Sequence, residues 1–303
     1  VTAFTPASSH SAQRRHYLMC PPTYFTVSYE INPWMDPSVP VDAARATAQW
    51  EHLRDTLRDL GHHVEEIEPE PGLPDMVYAA NGATVIDGVA YEAWFRFPER
   101  AAEGPAYLRW FSDHGYVTAK ARHVNEGEGD LLTCGSRVLA GHGPRTDVAA
   151  HREAARLLGR EVVSLELVDP RFYHLDTALT VLRGNDGGTP DADCDVAYLP
   201  AAFSPESREV LEDLFPDALI ATDEDAEVLG LNAVSDGRHV VLNPAATRYA
   251  AALRERGYEP VGVDTSELLR GGGGAKCCTL EVRGEPRLPV ASRDTPGAAV
   301  RSA

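Results

Sequence analysis

The chain has 303 residues, 43% hydrophobic and 24% charged, a balance that supports a packed core and excludes wholesale disorder. Its 28 Lys and Arg face 46 Asp and Glu, a formal charge of −18, so phosphate backbones and anionic lipid would repel it and neither nucleic-acid nor membrane partners are expected. No apolar run approaches the ~18 residues of a membrane span or builds a signal-peptide core. The five cysteines (20, 134, 194, 277 and 278) form no CxxC pair, and their odd number reads as reduced thiols in a cytoplasmic protein.

In chain order, residues 1–14 are Ser/Thr/Ala-rich without periodicity and are expected to be a mobile tail. A short β-type run follows at 17–19. The first helix is predicted over 41–60, where apolar residues recur at helical spacing and Gly61 can end it. β-type runs at 84–86, 137–140, 178–182, 239–242 and 279–282 then interleave with helices at 105–114, 147–158, 205–215 and 245–257. Residues 284–303, rich in Pro, Gly and Arg, read as a second tail. No linker interrupts residues 15–283, so they are expected to form a single domain.

A repeat emerges from the polar residues that stand just ahead of the hydrophobic runs. Asn81, Asp130, Asp176, Asn232 and Cys277 follow one another at intervals of 49, 46, 56 and 45 residues. Periods of this size mark stacked or radial supersecondary units. If the units surround an axis, all five residues point into one central space.

Several segments carry chemistry. In RGGGGAKCCTLE, four glycines lead into Cys277 and Cys278, read here as the opening of a strand. Adjacent strand residues face opposite sides, so only one thiol can address a central pocket. A thiolate there would be nucleophilic. No helix follows the glycines, so they are not a phosphate loop. In FYHLDTAL, His174 and Asp176 would share a face if the segment is extended, pairing an acid/base with a carboxylate. That spacing offers too few ligands for a metal. His62 and His63, after the first helix, are expected to be solvated. NEGEGDLL sets Glu126, Glu128 and Asp130 among glycines, while PDMVYAAN adds Asp75 and Asn81. Arg96, Arg100, Arg137 and Arg145 lie near these segments, and one or two of them can fork onto a carboxylate.

Taken together, LPDMVYAAN, EGEGD, HLDT and AKCCTLE resemble the guanidino-group-modifying superfamily, which includes arginine deiminase, dimethylarginine dimethylaminohydrolase, arginine dihydrolase and the amidinotransferases. The resemblance covers roughly residues 16–283. It implies an α/β fold of five β/α blades with pseudo-five-fold symmetry (the pentein propeller) and substrate on the axis. By the same resemblance, Cys277 is the nucleophile, Cys278 a non-catalytic neighbour and His174 the general acid/base. Glu126 is the acidic partner, with Glu128 as the alternative. The residues matching substrate-binding positions are Asp75, Asn81, Asp130, Asp176, Arg145, Arg100 and Asn32. A guanidinium offers only N–H donors, so carboxylates suit it, whereas the carbonyl oxygen of a ureido group needs a donor that Asn81 has and Asp lacks. That argument favours an arginine dihydrolase, converting arginine through citrulline to ornithine, ammonia and carbon dioxide by a covalent thiouronium. The alternatives are dimethylarginine hydrolysis, amidino transfer and a non-catalytic arginine-binding propeller. No metal or organic cofactor is implied, the expected partner is a small guanidino compound, and homo-oligomerisation stays open.

Overall fold

The computed structural model describes residues 10–288. All five predicted long helices are present within two residues of their expected ends: Ala43–Asp59, Glu103–Asp113, Val148–Leu158, Pro205–Leu214 and Thr247–Glu255. The first shows why. Asp42 accepts the Arg45 backbone N–H at 3.0 Å as an N-cap, and Ala46, Trp50, Leu53 and Leu57 recur on the buried face.

The strands associate into five three-stranded sheets, four of them built on one plan of connection. A hairpin supplies an antiparallel pair, and the long helix then returns the chain to a third strand parallel to the middle one. The second unit, for example, comprises Ala83–Ile86, Val89–Glu92 and Val117–Ala119, with the helix Glu103–Asp113 between the last two. The third is Leu131–Cys134, Arg137–His142 and Glu161–Glu166; the fourth is Leu179–Arg183, Asp195–Tyr198 and Leu219–Ile220. The fifth is Val234–Ser235, His239–Leu242 and Glu259–Gly262.

The first unit departs from this order. Its middle strand His16–Met19 lies parallel to His63–Glu66, but its antiparallel partner, Leu280–Glu281, comes from the far end of the sequence. Val282 then bridges Val85, which brings the last strand against the second unit. Tyr17, Leu18 and Met19 are all buried because a helix covers one face of this sheet and neighbouring units cover the other. A continuous core beneath the third, fourth and fifth units includes Leu139, Leu182, Val196, Leu211, Val240, Tyr249 and Leu253.

The segments expected to be tails are partly fastened to this body. Gln13 N–H donates to Asp236 O at 2.9 Å, His10 stacks on Tyr258, and Leu288 N–H donates to Gly115 O at 2.9 Å. The remainder of both segments, 1–9 and 289–303, lies outside the described residues. Among those described, no helix is long and apolar enough to cross a membrane.

Candidate active site

The five repeat markers all occupy tight turns immediately ahead of the strand that opens each sheet. Asn81 lies in Ala79–Gly82, Asp130 follows Gly127–Gly129, and Asp176 lies in Leu175–Ala178. Asn232 and Cys277 sit in turns before Val234 and Leu280. Hydrogen bonds join these turns in a closed ring. Ala80 N–H donates to Cys277 O at 3.0 Å, and Asn81 Nδ2 to Glu126 O at 3.4 Å. Leu175 N–H donates to Asp130 Oδ1 at 3.0 Å, Asn232 Nδ2 to Asp176 O at 3.1 Å, and Cys277 N–H to Asn232 Oδ1 at 3.1 Å.

Two local readings change at this point. Cys277 and Cys278 belong to a turn rather than a strand, and both are buried. His174 is extended, but Asp176 lies in the helical turn that begins at Leu175, so the two do not project from one strand face. Asp176 swings toward the thiol instead: Cys277 Sγ lies 3.4 Å from Asp176 Oδ2 and 3.1 Å from Asn232 Nδ2. Burial pushes the Asp176 carboxyl up to about 7 against the pull of Lys276. Burial, with the carboxylate of Asp176 beside it, also pushes the Cys277 thiol well above its ordinary range.

His174 meets a different acid. Its Nε2 lies 2.6 Å from Glu126 Oε2, which also accepts from Arg145 at 2.8 Å. Burial works to raise the Glu126 pKa, but Arg145 and His174 outweigh it and hold the carboxyl well below the usual carboxylate range. Glu128, two residues on, faces away from His174. It accepts from Arg283 at 2.6 Å, Lys276 at 3.0 Å and the Glu281 N–H at 2.8 Å. The glycines around these acids are sterically required. Gly127 has φ +59°, and a Cβ there would lie 2.7 Å from Asn81 O; one on Gly129 would lie 2.3 Å from Asn81 Nδ2.

The other candidates divide into engaged and available groups. Asp130 is fully engaged, with Oδ1 on Leu175 N–H and Oδ2 on Thr146 Oγ1 at 2.6 Å, so it secures the His174 turn. Arg100 forks onto Glu103 at 3.0 and 2.8 Å and donates to Asn81 Oδ1 at 3.0 Å. Arg145 lies between the rings of Phe97 and Tyr173 and donates to Ile31 O at 2.8 Å. Arg96 pairs with Asp147 and Arg137 with Glu161, both at the surface. By contrast, Asp75 Oδ1, Asp176 Oδ1 and His174 Nδ1 are buried without a hydrogen-bond partner among the described residues. Asn32 closes the roof by donating to Gly271 O at 3.1 Å, and Trp34 Nε1 donates to Arg171 O at 3.0 Å. Cys277 and His174 are each 1% exposed beneath this roof.

No family model matches the chain. It is, however, 59% identical over 268 residues to N(G),N(G)-dimethylarginine dimethylaminohydrolase of Mycobacterium tuberculosis, covering 88% of this chain and 86% of that one. The chain belongs to the dimethylarginine dimethylaminohydrolase family. It is a hydrolase of the guanidino-group-modifying superfamily. More distant is the bifunctional arginine dihydrolase/ornithine cyclodeaminase ArgZ of Synechocystis, 35% identical over 90% of this chain and 38% of that longer one. A solved N-terminal domain of ArgZ, a cysteine-to-serine variant bound to substrate, superposes with a TM-score of 0.82 at 32% identity. That match covers 89% of this chain and 99% of the domain.

For this member of the dimethylarginine dimethylaminohydrolase family, sequence reasoning missed two contacts at the site. In the sequence Asn232 is only a repeat marker, yet its amide holds the thiol, the Cys277 N–H and the Gly274 N–H at 3.0–3.1 Å. Its equivalence to Asn81, Asp130 and Asp176 in the repeat was the available signal. Tyr173, whose ring packs on His174 and Arg145 and whose hydroxyl donates to Gly272 O at 2.7 Å, had no signal beyond its place beside His174.

Proposed function

We propose that this chain hydrolyses Nω-methylated arginine to citrulline and methylamine, with Cys277 as nucleophile. The observation that carries this substrate over free arginine is the 59% identity to the mycobacterial dimethylarginine dimethylaminohydrolase, against 35% to ArgZ. The dihydrolase placed first in the sequence analysis therefore becomes the second reading. Residues 15–283 would form one five-bladed propeller, a reading supported by the five like sheets and the closed ring of turns. A cytoplasmic setting accords with five free thiols.

The chemistry follows from the available groups. A guanidinium held by Asp176 and Asn81 offers N–H donors to the unpartnered Asp176 Oδ1, while the unpartnered Asp75 Oδ1 would meet the substrate amine. Its positive charge offsets the effects of burial and Asp176 and lowers the cost of ionising Cys277. The thiolate adds to the guanidinium carbon. His174, held by Glu126, delivers a proton to the departing methylamine, leaving a thiouronium on Cys277. The same imidazole then takes a proton from water as the water adds to that carbon. Collapse expels the thiolate and leaves citrulline. Arg145, or less directly Arg100, would meet the substrate carboxylate, and the roof that includes Ile31 and Asn32 must lift for access.

One observation favours the second reading. Asn81 directs Oδ1 to Arg100 and one Nδ2 hydrogen to Glu126 O, which leaves the second Nδ2 hydrogen beside Gly129, near His174. That N–H can donate to the ureido oxygen of citrulline and so permit a second hydrolysis. Incubation with methylarginine, arginine and citrulline, followed by amino-acid analysis, separates the two. Citrulline and methylamine from methylarginine without ornithine are expected; ornithine released from citrulline would overturn the first reading in favour of the second.

A further inference from the structure

The His62–His63 pair takes no part in the site above, and the structure separates its members. His62 is buried beside Tyr17 rather than solvated as expected, while His63 is exposed. The strands His16–Met19 and His63–Glu66 run parallel with His16 directly opposite His63. Residues two apart on a strand share a face, so Glu65 projects to the same side. His16 Nε2 lies 2.7 Å and His63 Nε2 3.9 Å from Glu65 Oε2, and the three ligand atoms all fall within 4.8 Å of one another. The rings of His16 and His63 have centroids 4.6 Å apart.

These separations bracket what a metal requires. Ligands ~2.0–2.1 Å from a tetrahedral zinc ion lie roughly 3.3 Å from each other. Small side-chain rotations therefore convert the cluster into a three-ligand set. A hydrogen bond between His16 and Glu65 explains two members but not the placement of His63 in the same register. Two imidazoles and one carboxylate match zinc and its neighbours among the late first-row metals, not calcium or magnesium, which prefer all-oxygen shells.

We propose that His16, His63 and Glu65 form a binding site for Zn²⁺, distinct from the Cys277 site. The three residues border an open groove of about 740 Å³ that also includes Arg283 and Glu285. Three protein ligands leave a fourth position for water or a small ligand from that groove. A bound ion would also tie the edge strand of the first sheet to its middle strand.

The test is Zn²⁺ binding to the chelator-treated full chain without a purification tag, followed by equilibrium dialysis and elemental analysis, with Co²⁺ absorption as an independent readout. Because Cys277 and His174 are a competing locus, Cys277→Ser is measured in parallel. Expected are one equivalent in the parent, retention in Cys277→Ser, and at least tenfold weaker binding in both His63→Ala and Glu65→Gln. His63 is exposed, so His63→Ala should keep the metal-free melting temperature and the guanidino hydrolase activity. No binding at micromolar free Zn²⁺, binding indifferent to His63→Ala, or binding lost in Cys277→Ser would each overturn the site.

Discussion

Glu126 and Glu128 show how two residues of the same type, two positions apart, acquire unrelated tasks from their surroundings. Glu126 holds His174 and Arg145, so Glu126→Gln should lower kcat by roughly 10²-fold or more and displace the pH–rate profile. Asp176 makes a separate prediction. Its pKa of about 7 in the folded protein lies above the ordinary 3.8, so between those values the native state holds a proton that the unfolded chain has lost. Its contribution to stability is thus full at low pH and is lost as pH rises through about 7. Asp176→Asn should therefore melt higher than the parent at pH 8, with the difference narrowing toward pH 5, while activity is lost. In the parent, kcat/KM should climb from pH 6 to 8, because guanidinium binding wants Asp176 ionised and attack wants Cys277 ionised.

At the scale of elements, the turn ahead of each opening strand carries the candidate site residues. The long helices and most strands were legible because apolar periodicity depends only on which face is buried. The turns were not. The sequence reading made Cys277–Cys278 the start of a strand and His174–Asp176 an extended pair, since a single helical turn is too short to show a period. Their glycines are the better guide. Gly127→Ala would place a side chain at φ +59° and press it against the Asn81 carbonyl. It should cost on the order of 1–3 kcal/mol and lower kcat with it, read by thermal denaturation and initial rates.

Across the whole molecule, closure joins the ends of the described chain. Leu280–Glu281 completes the sheet begun by His16–Met19, and the buried charges behind it bind three units together. Arg283 pairs with Glu128 and with Glu281 at 2.9 Å, while Arg15 reaches Glu281 at 3.6 Å and Asn185 at 2.6 Å. Taking one carboxylate from such a cluster leaves buried cations uncompensated. Glu128→Gln should cost roughly 3–5 kcal/mol in a denaturant titration, yet leave the kcat of the folded fraction near the parent value. That contrast with Glu126→Gln separates the acid of the site from the acid of the scaffold.

Spacing alone suggested repeated units with polar residues at their mouths, because hydrophobic periodicity and turn chemistry are local properties; the five like sheets are seen in the structure. The residue types offered a nucleophile, an acid/base and carboxylates, and the resemblance of their motifs to the guanidino-modifying superfamily pointed to a planar cation as the substrate. Only the tertiary structure decided which acid reaches His174, that Asp130 is spent on a backbone N–H and Thr146, and that Asn232 cradles the Cys277 thiol. Those outcomes depend on contacts between segments roughly 45 or more residues apart in most cases, and a hydrogen bond has direction as well as partners. A side chain's neighbours across the ring are set by how the sheets pack, which no single segment encodes.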